Sequence, residues 1–174
     1  MDYTGTQGAD IADQDLLGIT DSLTYRMLGG NDVVRLRSGT VEGGAGNDEI
    51  RHIGGTGFDV GAAYWSSPGG VLADLAAGFA DDGYGTRDIL NGVNMLHGSW
   101  HDDRFYGSSA GDTFWGNGGR DYIDGRGGFD LVGLGRDIAD YDVRVTIDGI
   151  SGTLTLKSDP RQVLELFNVE TLFW

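Results

Sequence analysis

The chain has 174 residues, a net charge of −15, 32 glycines, two prolines and no cysteine. The lack of cysteine excludes disulfides and thiol chemistry, the lack of a strict G-X-Y period excludes collagen, no apolar run approaches the ~18 residues of a membrane span, and the acidic balance speaks against nucleic acid as a partner, since phosphates call for a basic stripe. So acidic a chain repels itself and folds poorly in water alone, a repulsion that bound divalent cations would cancel.

In chain order, the start MDYTGTQGAD has neither a basic nor an apolar leader segment. Gly5 to Asp10 is a first glycine–aspartate turn, followed by irregular residues 11–26. Met27 to Asp32 is a second turn, with Val33-Val34 as its strand. Gly43 to Asp48 repeats the pattern in full, with Ile50 expected to point inward. The segment between, with Leu36 and Val41, reads as a half-coil with a clipped turn. Gly54 to Asp59 is another full match, offset so that it falls on the opposite side. Residues 60–82 break the pattern: Val71 to Leu75 alternates like a half-exposed strand between the loop signals Gly69-Gly70 and Ala76-Ala77-Gly78. Gly83 to Asp88 resumes as a degenerate turn, then Ile89-Leu90, then a half-coil from Val93 to Leu96.

The most regular stretch is Gly98 to Gly133, which in nines reads GSWHDDRFY, GSSAGDTFW, GNGGRDYID, GRGGFDLVG. Gly98, Gly107, Gly116 and Gly125 stand first, Asp103, Asp112, Asp121 and Asp130 sixth, and Phe105, Phe114, Ile123 and Val132 eighth. Asp-Gly pairs are common in plain loops, but three positions held in phase over four units are not. Such a unit suits a turn followed by a short strand whose middle residue points inward. Glycine supplies left-handed backbone angles and lets carbonyls converge on an ion. Aspartate adds a hard anionic oxygen, and calcium takes six to eight oxygens at about 2.3–2.6 Å. Two units make one coil, so Asp103 is expected to stack with Asp121, and Asp112 with Asp130.

This pattern resembles the RTX nonapeptide, GGxGxDxUx, of the hemolysin-type calcium-binding family, a β-helix signature. The resemblance implies an all-β, right-handed parallel β-roll with several calcium ions in its turns. It implies one ligand set of Ser99, His101, Asp103, Gly116, Gly118 and Asp121, and a second of Ser108, Ala110, Asp112, Gly125, Gly127 and Asp130. The same carry-over gives Leu28, Gly30 and Asp32 with Gly43, Ala45 and Asp48, Gly55 and Gly57 with Asp59, Gly83 and Gly85 with Asp88, and the first turn's Asp10. Asp59 and Asp88 are expected to share one ion, and Asp88 and Asp103 another. His101 and Ala110 stand where the family has glycine, and a left-handed residue there costs roughly 1–2 kcal/mol. Residues 60–82 resemble the "GGVxVDLAAG" interruption of secreted RTX proteins.

After Gly133, Val143, Val145 and Ile147 alternate with polar residues, as do Leu154 and Leu156 after Asp148-Gly149, which predicts a β-hairpin. A last segment runs from about Val163 to Phe173. The domain reading is one continuous solenoid: N-terminal repeats over 1–59, an irregular insertion and degenerate repeat over 60–97, the regular roll over 98–138 and a cap over 139–174, since a solenoid needs its edges covered.

Ser99, His101 and Asp103 lie close in sequence, but a catalytic triad is recognised by geometry, and HExxH, GxSxG and phosphate-loop signatures are absent. No catalysis is expected in this chain. Tyr106 and Trp115, at ninth positions, and Tyr64 and Trp65 in the interruption are candidates for stacking on a glycan or partner, or for packing under the cap. The resemblance implies a type I secreted or cell-surface bacterial protein that folds on calcium outside the cell and serves as a structural or adhesive scaffold. The alternatives are an accessory C-terminal region of a secreted protease, lipase or polysaccharide-modifying enzyme, or a carbohydrate-binding module. Met1 runs almost directly into a repeat and Trp174 ends abruptly, which predicts a piece of a larger parent polypeptide.

Overall fold

A computed structural model describes residues 2–54, 59–145 and 151–174. The chain climbs as a two-sided coil, one short strand per side. The first three coils are β1 (Tyr3–Thr4) with β2 (Ile11–Asp13), β3 (Leu23–Arg26) with β4 (Val33–Leu36), and β5 (Gly39–Glu42) with β6 (Glu49–His52). The fourth begins with β7 (Val60–Ala63), but its far side holds three strands, β8 (Leu72–Asp74), β9 (Phe79–Asp81) and β10 (Arg87–Asn91). Regular coils follow: β11 (Met95–His97) with β12 (Arg104–Tyr106), and β13 (Thr113–Trp115) with β14 (Arg120–Asp124). After β15 (Leu131–Gly133) come a 3-10 turn at Ile138–Asp140 and a hairpin of β16 (Tyr141–Val145) and β17 (Ser151–Leu156), then β18 (Val163–Phe167) and β19 (Thr171–Phe173).

The odd-side strands form one sheet in the order β1-β3-β5-β7-β11-β13-β15-β19, all parallel. The facing sheet runs β16-β17-β18-β14-β12-β8-β9-β10-β6-β4-β2. The architecture is the expected parallel β-roll. Three-residue strands suffice because only the middle residue of each must point inward. In the first sheet Tyr25, Val41, Ala62, Leu96, Phe114 and Val132 stand in register, one above the next. In the second, Ala12, Val34, Ile50 and Leu90 do the same below the insertion, and Ala73, Phe105, Ile123 and Leu166 above it. All these are buried, each large one contributing roughly 1.5–3 kcal/mol.

The insertion is an antiparallel meander. β8 pairs with β9 and β9 with β10, both antiparallel, while β10 rejoins β6 and β8 rejoins β12 in parallel. The first sheet steps directly from β7 to β11 over the same interval. The second sheet thus gains two strand spacings, about 10 Å, and the roll is wedged open on that side.

The C-terminal segment differs from the sequence expectation. The β16–β17 hairpin lies antiparallel on the outer edge of β18 and covers it as a cap should. Residues 163–173, however, continue the roll: β18 runs parallel to β14, and β19 to β15. Leu154 and Leu156 are buried, whereas Val143 and Val145 are exposed on the edge strand. Ile147, Asp148 and Gly149 lie outside the described residues.

Candidate metal centres

The aspartates of the turns form two hydrogen-bonded ladders, one along each flank. On the first flank, the Asp10 N–H donates to Asp32 Oδ1 (2.7 Å), the Asp32 N–H to Asp48 Oδ1 (2.8 Å) and the Asp48 N–H to Asp88 Oδ1 (3.0 Å). Beyond the meander the ladder restarts, with the Val71 N–H donating to Asp103 Oδ1 (2.8 Å) and the Asp103 N–H to Asp121 Oδ1 (3.0 Å). On the second flank, the Asp112 N–H donates to Asp130 Oδ1 (2.8 Å).

Asp32, Asp48, Asp88, Asp103, Asp121 and Asp130 thus each use one oxygen to hold the preceding rung. The other oxygen turns back over its own loop, where the first glycine makes room for it. A Cβ on Gly43, Gly98 or Gly116 would fall 2.1–2.2 Å from Oδ2 of Asp48, Asp103 or Asp121, respectively.

Two kinds of turn carry these aspartates. The turns ending at Asp32, Asp48, Asp121 and Asp130 have two left-handed residues. Leu28, Gly44, Asn117 and Arg126 take φ of 66° to 92° at the second position, and Gly30, Gly46, Gly119 and Gly128 take 105° to 136° at the fourth. In the turns ending at Asp10, Asp103 and Asp112 none of the six residues has positive φ. There a hydroxyl at the second position organises the loop. The N–H groups of Thr6, Ser99 and Ser108 donate to Oδ2 of their own aspartate (2.6–2.8 Å), and those three hydroxyls accept from the N–H groups of Gly8, His101 and Ala110 (3.0–3.2 Å). The strain expected at His101 and Ala110 is therefore not present, because the hydroxyl shapes these turns without a left-handed fourth residue.

The hydroxyl turns open a ladder, and left-handed turns extend it at Asp32, Asp48, Asp121 and Asp130. Among the described residues, Oδ2 of Asp32, Asp48 and Asp130 is buried with no hydrogen-bond partner. Burial pushes Asp48, Asp103 and Asp130 up to about 6, and Asp88 and Asp121 up to about 8. Neighbouring aspartates push Asp48, Asp88, Asp121 and Asp130 further the same way. Buried carboxylate oxygens with no donor and no cationic side chain are costly, and the arrangement fits a hard cation. Among the described residues no group of three or more His, Cys, Asp or Glu side chains is placed to hold a metal ion, so an ion between an aspartate pair would draw its other ligands from neutral oxygens such as backbone carbonyls and water.

The RTX calcium-binding nonapeptide repeat matches the chain in four copies, over residues 36–51 and 97–132. The chain carries RTX repeats. No curated protein matches it. The two matched stretches flank the meander, and the turns at 5–10 and 27–32, outside the match, join the same aspartate ladder.

The RTX turns bring together most of the residues singled out from the sequence. The loop of Ser99, His101 and Asp103 stacks under that of Gly116, Gly118 and Asp121, with Gly119 seated against the His101 backbone. Ser108, Ala110 and Asp112 stack likewise under Gly125, Gly127 and Asp130. Leu28, Gly30 and Asp32 meet Gly43, Ala45 and Asp48, and there the Gly30 N–H donates to the Ala45 carbonyl (2.8 Å). The loop of Gly83, Gly85 and Asp88 stacks on the Asp48 turn, where Arg87 N–H meets Asn47 Oδ1 (3.2 Å). Asp88 is thus paired with neither Asp59 nor Asp103. Asp59 lies on the other flank, accepting from Asn94 Nδ2 (2.7 Å), and the meander separates Asp88 from Asp103. Gly55 and Gly57 lie outside the described residues.

Two residues that the sequence reading missed occupy the aspartate position on the second flank. The Val60 N–H donates to Asn94 Oδ1 (2.9 Å), and the Asp130 N–H to Glu170 Oε2 (2.8 Å). Their loops share a left-handed residue, Gly92 or Asn168, followed by a buried valine, Val93 or Val169. The parallel between Leu90-Asn91-Gly92-Val93-Asn94 and Leu166-Phe167-Asn168-Val169-Glu170 was the available signal.

Proposed function

We propose that this chain is a calcium-loaded scaffold of a secreted or cell-surface bacterial protein, and that it folds on meeting extracellular calcium. The observation that carries the reading is the set of donorless, buried Oδ2 atoms on Asp32, Asp48 and Asp130 within stacked glycine turns. The pairs that would hold ions are Asp10/Asp32, Asp32/Asp48, Asp48/Asp88, Asp103/Asp121 and Asp112/Asp130, with the carbonyls of their own loops. Calcium supplies the positive charge that the ladders lack. In a cytoplasm where free calcium is far below the roughly 10⁻⁴–10⁻³ M range of extracellular modules, the acidic chain stays unfolded and fit for export. Outside, binding and folding coincide, because the sites scarcely exist in the unfolded chain.

The reading as a module without chemistry of its own is supported by Ser99, which is fully buried with its hydroxyl donating to Asp103 Oδ1 (2.8 Å). No helix among the described residues is long and apolar enough to cross a membrane. The test is circular dichroism and calorimetry of the chain in EGTA and after calcium addition. The expected outcome is a coil spectrum converting to β with cooperative uptake of about five ions, one for each aspartate pair. A β spectrum unchanged by EGTA would overturn the reading.

A further inference from the structure

The ninth-position aromatics do not offer themselves to a ligand. His97 stacks face to face on Trp115 (4.2 Å, 5°), and Phe173 meets Trp115 edge-on (5.5 Å). Tyr106 lies against Tyr122 (5.7 Å) and under the Arg126 guanidinium (5.2 Å). These rings cover one another along the strands. Trp100 differs. It stands in the opening turn before Asp103, is 67 % exposed, and its ring passes over Gly118, where a Cβ would lie 3.0 Å from Cε3.

Between Trp100 and the edge of Trp115 is a cleft of about 380 Å³, lined also by Asn117, Arg136, Tyr141 and Gln162. That size is within the range of small-ligand sites. Of its polar groups, the Tyr141 hydroxyl is committed, donating to the Leu134 carbonyl (2.8 Å). The Arg136 guanidinium has no acidic partner among the described residues, whereas Arg35, Arg37, Arg87, Arg120 and Arg126 are each ion-paired. Asn117 donates its amide to the Gly98 carbonyl (2.7 Å), and among the described residues no hydrogen bond engages its side-chain oxygen. A free indole face takes the apolar face of a sugar ring, carboxamides take hydroxyls, and an unpaired guanidinium in a chain of net charge −15 selects a carboxylate.

We infer that the Trp100–Arg136 cleft binds a carboxylated pyranose, that is, a uronate unit of an acidic saccharide. Trp100 and Asn117 come from two stacked turns of one ladder, so the cleft exists only in the folded roll, and in this the inference rests on the calcium reading.

The test titrates the calcium-loaded chain, checked as folded by circular dichroism, with methyl β-D-glucuronide and with methyl β-D-glucoside, read by isothermal calorimetry and indole fluorescence. The glucuronide is expected to bind at least tenfold more tightly. Trp100→Ala abolishes binding of both sugars, Arg136→Gln removes only the preference for the acid, and Arg144→Gln, which takes a charge from the edge strand, changes neither. Absence of saturable binding to the folded chain, equal affinity for both sugars, or an equal effect of Arg144→Gln and Arg136→Gln would each overturn the proposal. A chain that stays unfolded in calcium would instead overturn the calcium reading.

Discussion

The regular stretch 98–133 and the meander at 60–97 close the same coil by different means. In the regular stretch each side holds one strand, Phe105 and Phe114 fill the centre with ring centroids 6.3 Å apart, and the flanks are joined by aspartate pairs 18 residues apart. In the meander one side holds three strands, Ala62, Ala73 and Ala80 stand in the core beside Tyr64, Val60, Val71, Leu75 and Leu90, and Asp82 is saturated by its own loop. That carboxylate accepts from the N–H groups of Tyr84 and Thr86 (both 2.9 Å) and from the Thr86 hydroxyl (2.5 Å). The contrast teaches where a buried carboxylate is left short of donors. The meander loop serves Asp82 itself, as the hydroxyl turns serve Asp103 and Asp112, whereas the left-handed turns leave Oδ2 of Asp32, Asp48 and Asp130 over.

The comparison can be broken most forcefully by removing calcium. The whole chain is expected to lose its β spectrum in EGTA. Hydrogen exchange during re-addition is expected to show amides of the paired turns at 98–133 protected before those at 82–86, and simultaneous protection would erase the distinction.

Core substitutions come next. Phe114→Ala is expected to cost about 3–5 kcal/mol in urea unfolding of the calcium-loaded chain. Ala73→Leu in the alanine-lined segment overpacks and costs about 1–3 kcal/mol. The reverse order would mean that the meander carries the tighter core.

The pH response is a finer discriminator. Asp48, Asp103 and Asp130 are raised to about 6, and Asp88 and Asp121 to about 8. The calcium-free fold therefore binds protons more tightly than the unfolded chain. Its stability is fully present below about pH 4, the ordinary carboxylate range, and is lost as pH rises through those values. With calcium the dependence inverts, since the ion displaces the protons. Circular dichroism in EGTA at pH 5 and pH 8, with urea midpoints in calcium at the same two values, checks this, and a β signal in EGTA that grows toward pH 8 would contradict it.

The smallest effects separate the two kinds of turn. Ser108→Ala removes the hydroxyl that accepts the Ala110 N–H (3.0 Å) and is expected to cost about 0.5–1.5 kcal/mol. Gly127→Ala meets nothing within 4 Å and needs no positive φ, so it is expected to stay within about 0.5 kcal/mol of the parent chain. Thermal unfolding in calcium measures both.

The sequence made the regular stretch legible because glycine, aspartate and the inward apolar residue keep one phase, and the Asp103/Asp121 and Asp112/Asp130 stacks follow from counting. Counting fails at Asp88, because β8, β9 and β10 all lie in one sheet and chain distance no longer measures height in the coil. It fails at Asn94 and Glu170 because a different side chain does the aspartate's structural work there. The strain assigned to His101 and Ala110 was misplaced because Ser99 and Ser108 reshape their loops, a pattern visible in the sequence as a hydroxyl residue after the first glycine. Val143 and Val145 alternate as an inward face should, yet the hairpin's outer strand has no neighbour to bury them.

Asn94 and Glu170 bracket Asp112 and Asp130, the one complete aspartate pair of the second flank among the described residues. The first flank chains Asp10, Asp32, Asp48 and Asp88 in one series. As ambient calcium falls, the long series should let go together, because neighbouring sites share carboxylates, while the isolated pair empties as one independent site. A calcium titration followed by NMR at Asp48 and Asp130 would show a steep, collective response at the first and a simple hyperbola at the second. The molecule would then answer one signal with two different thresholds on its two sides.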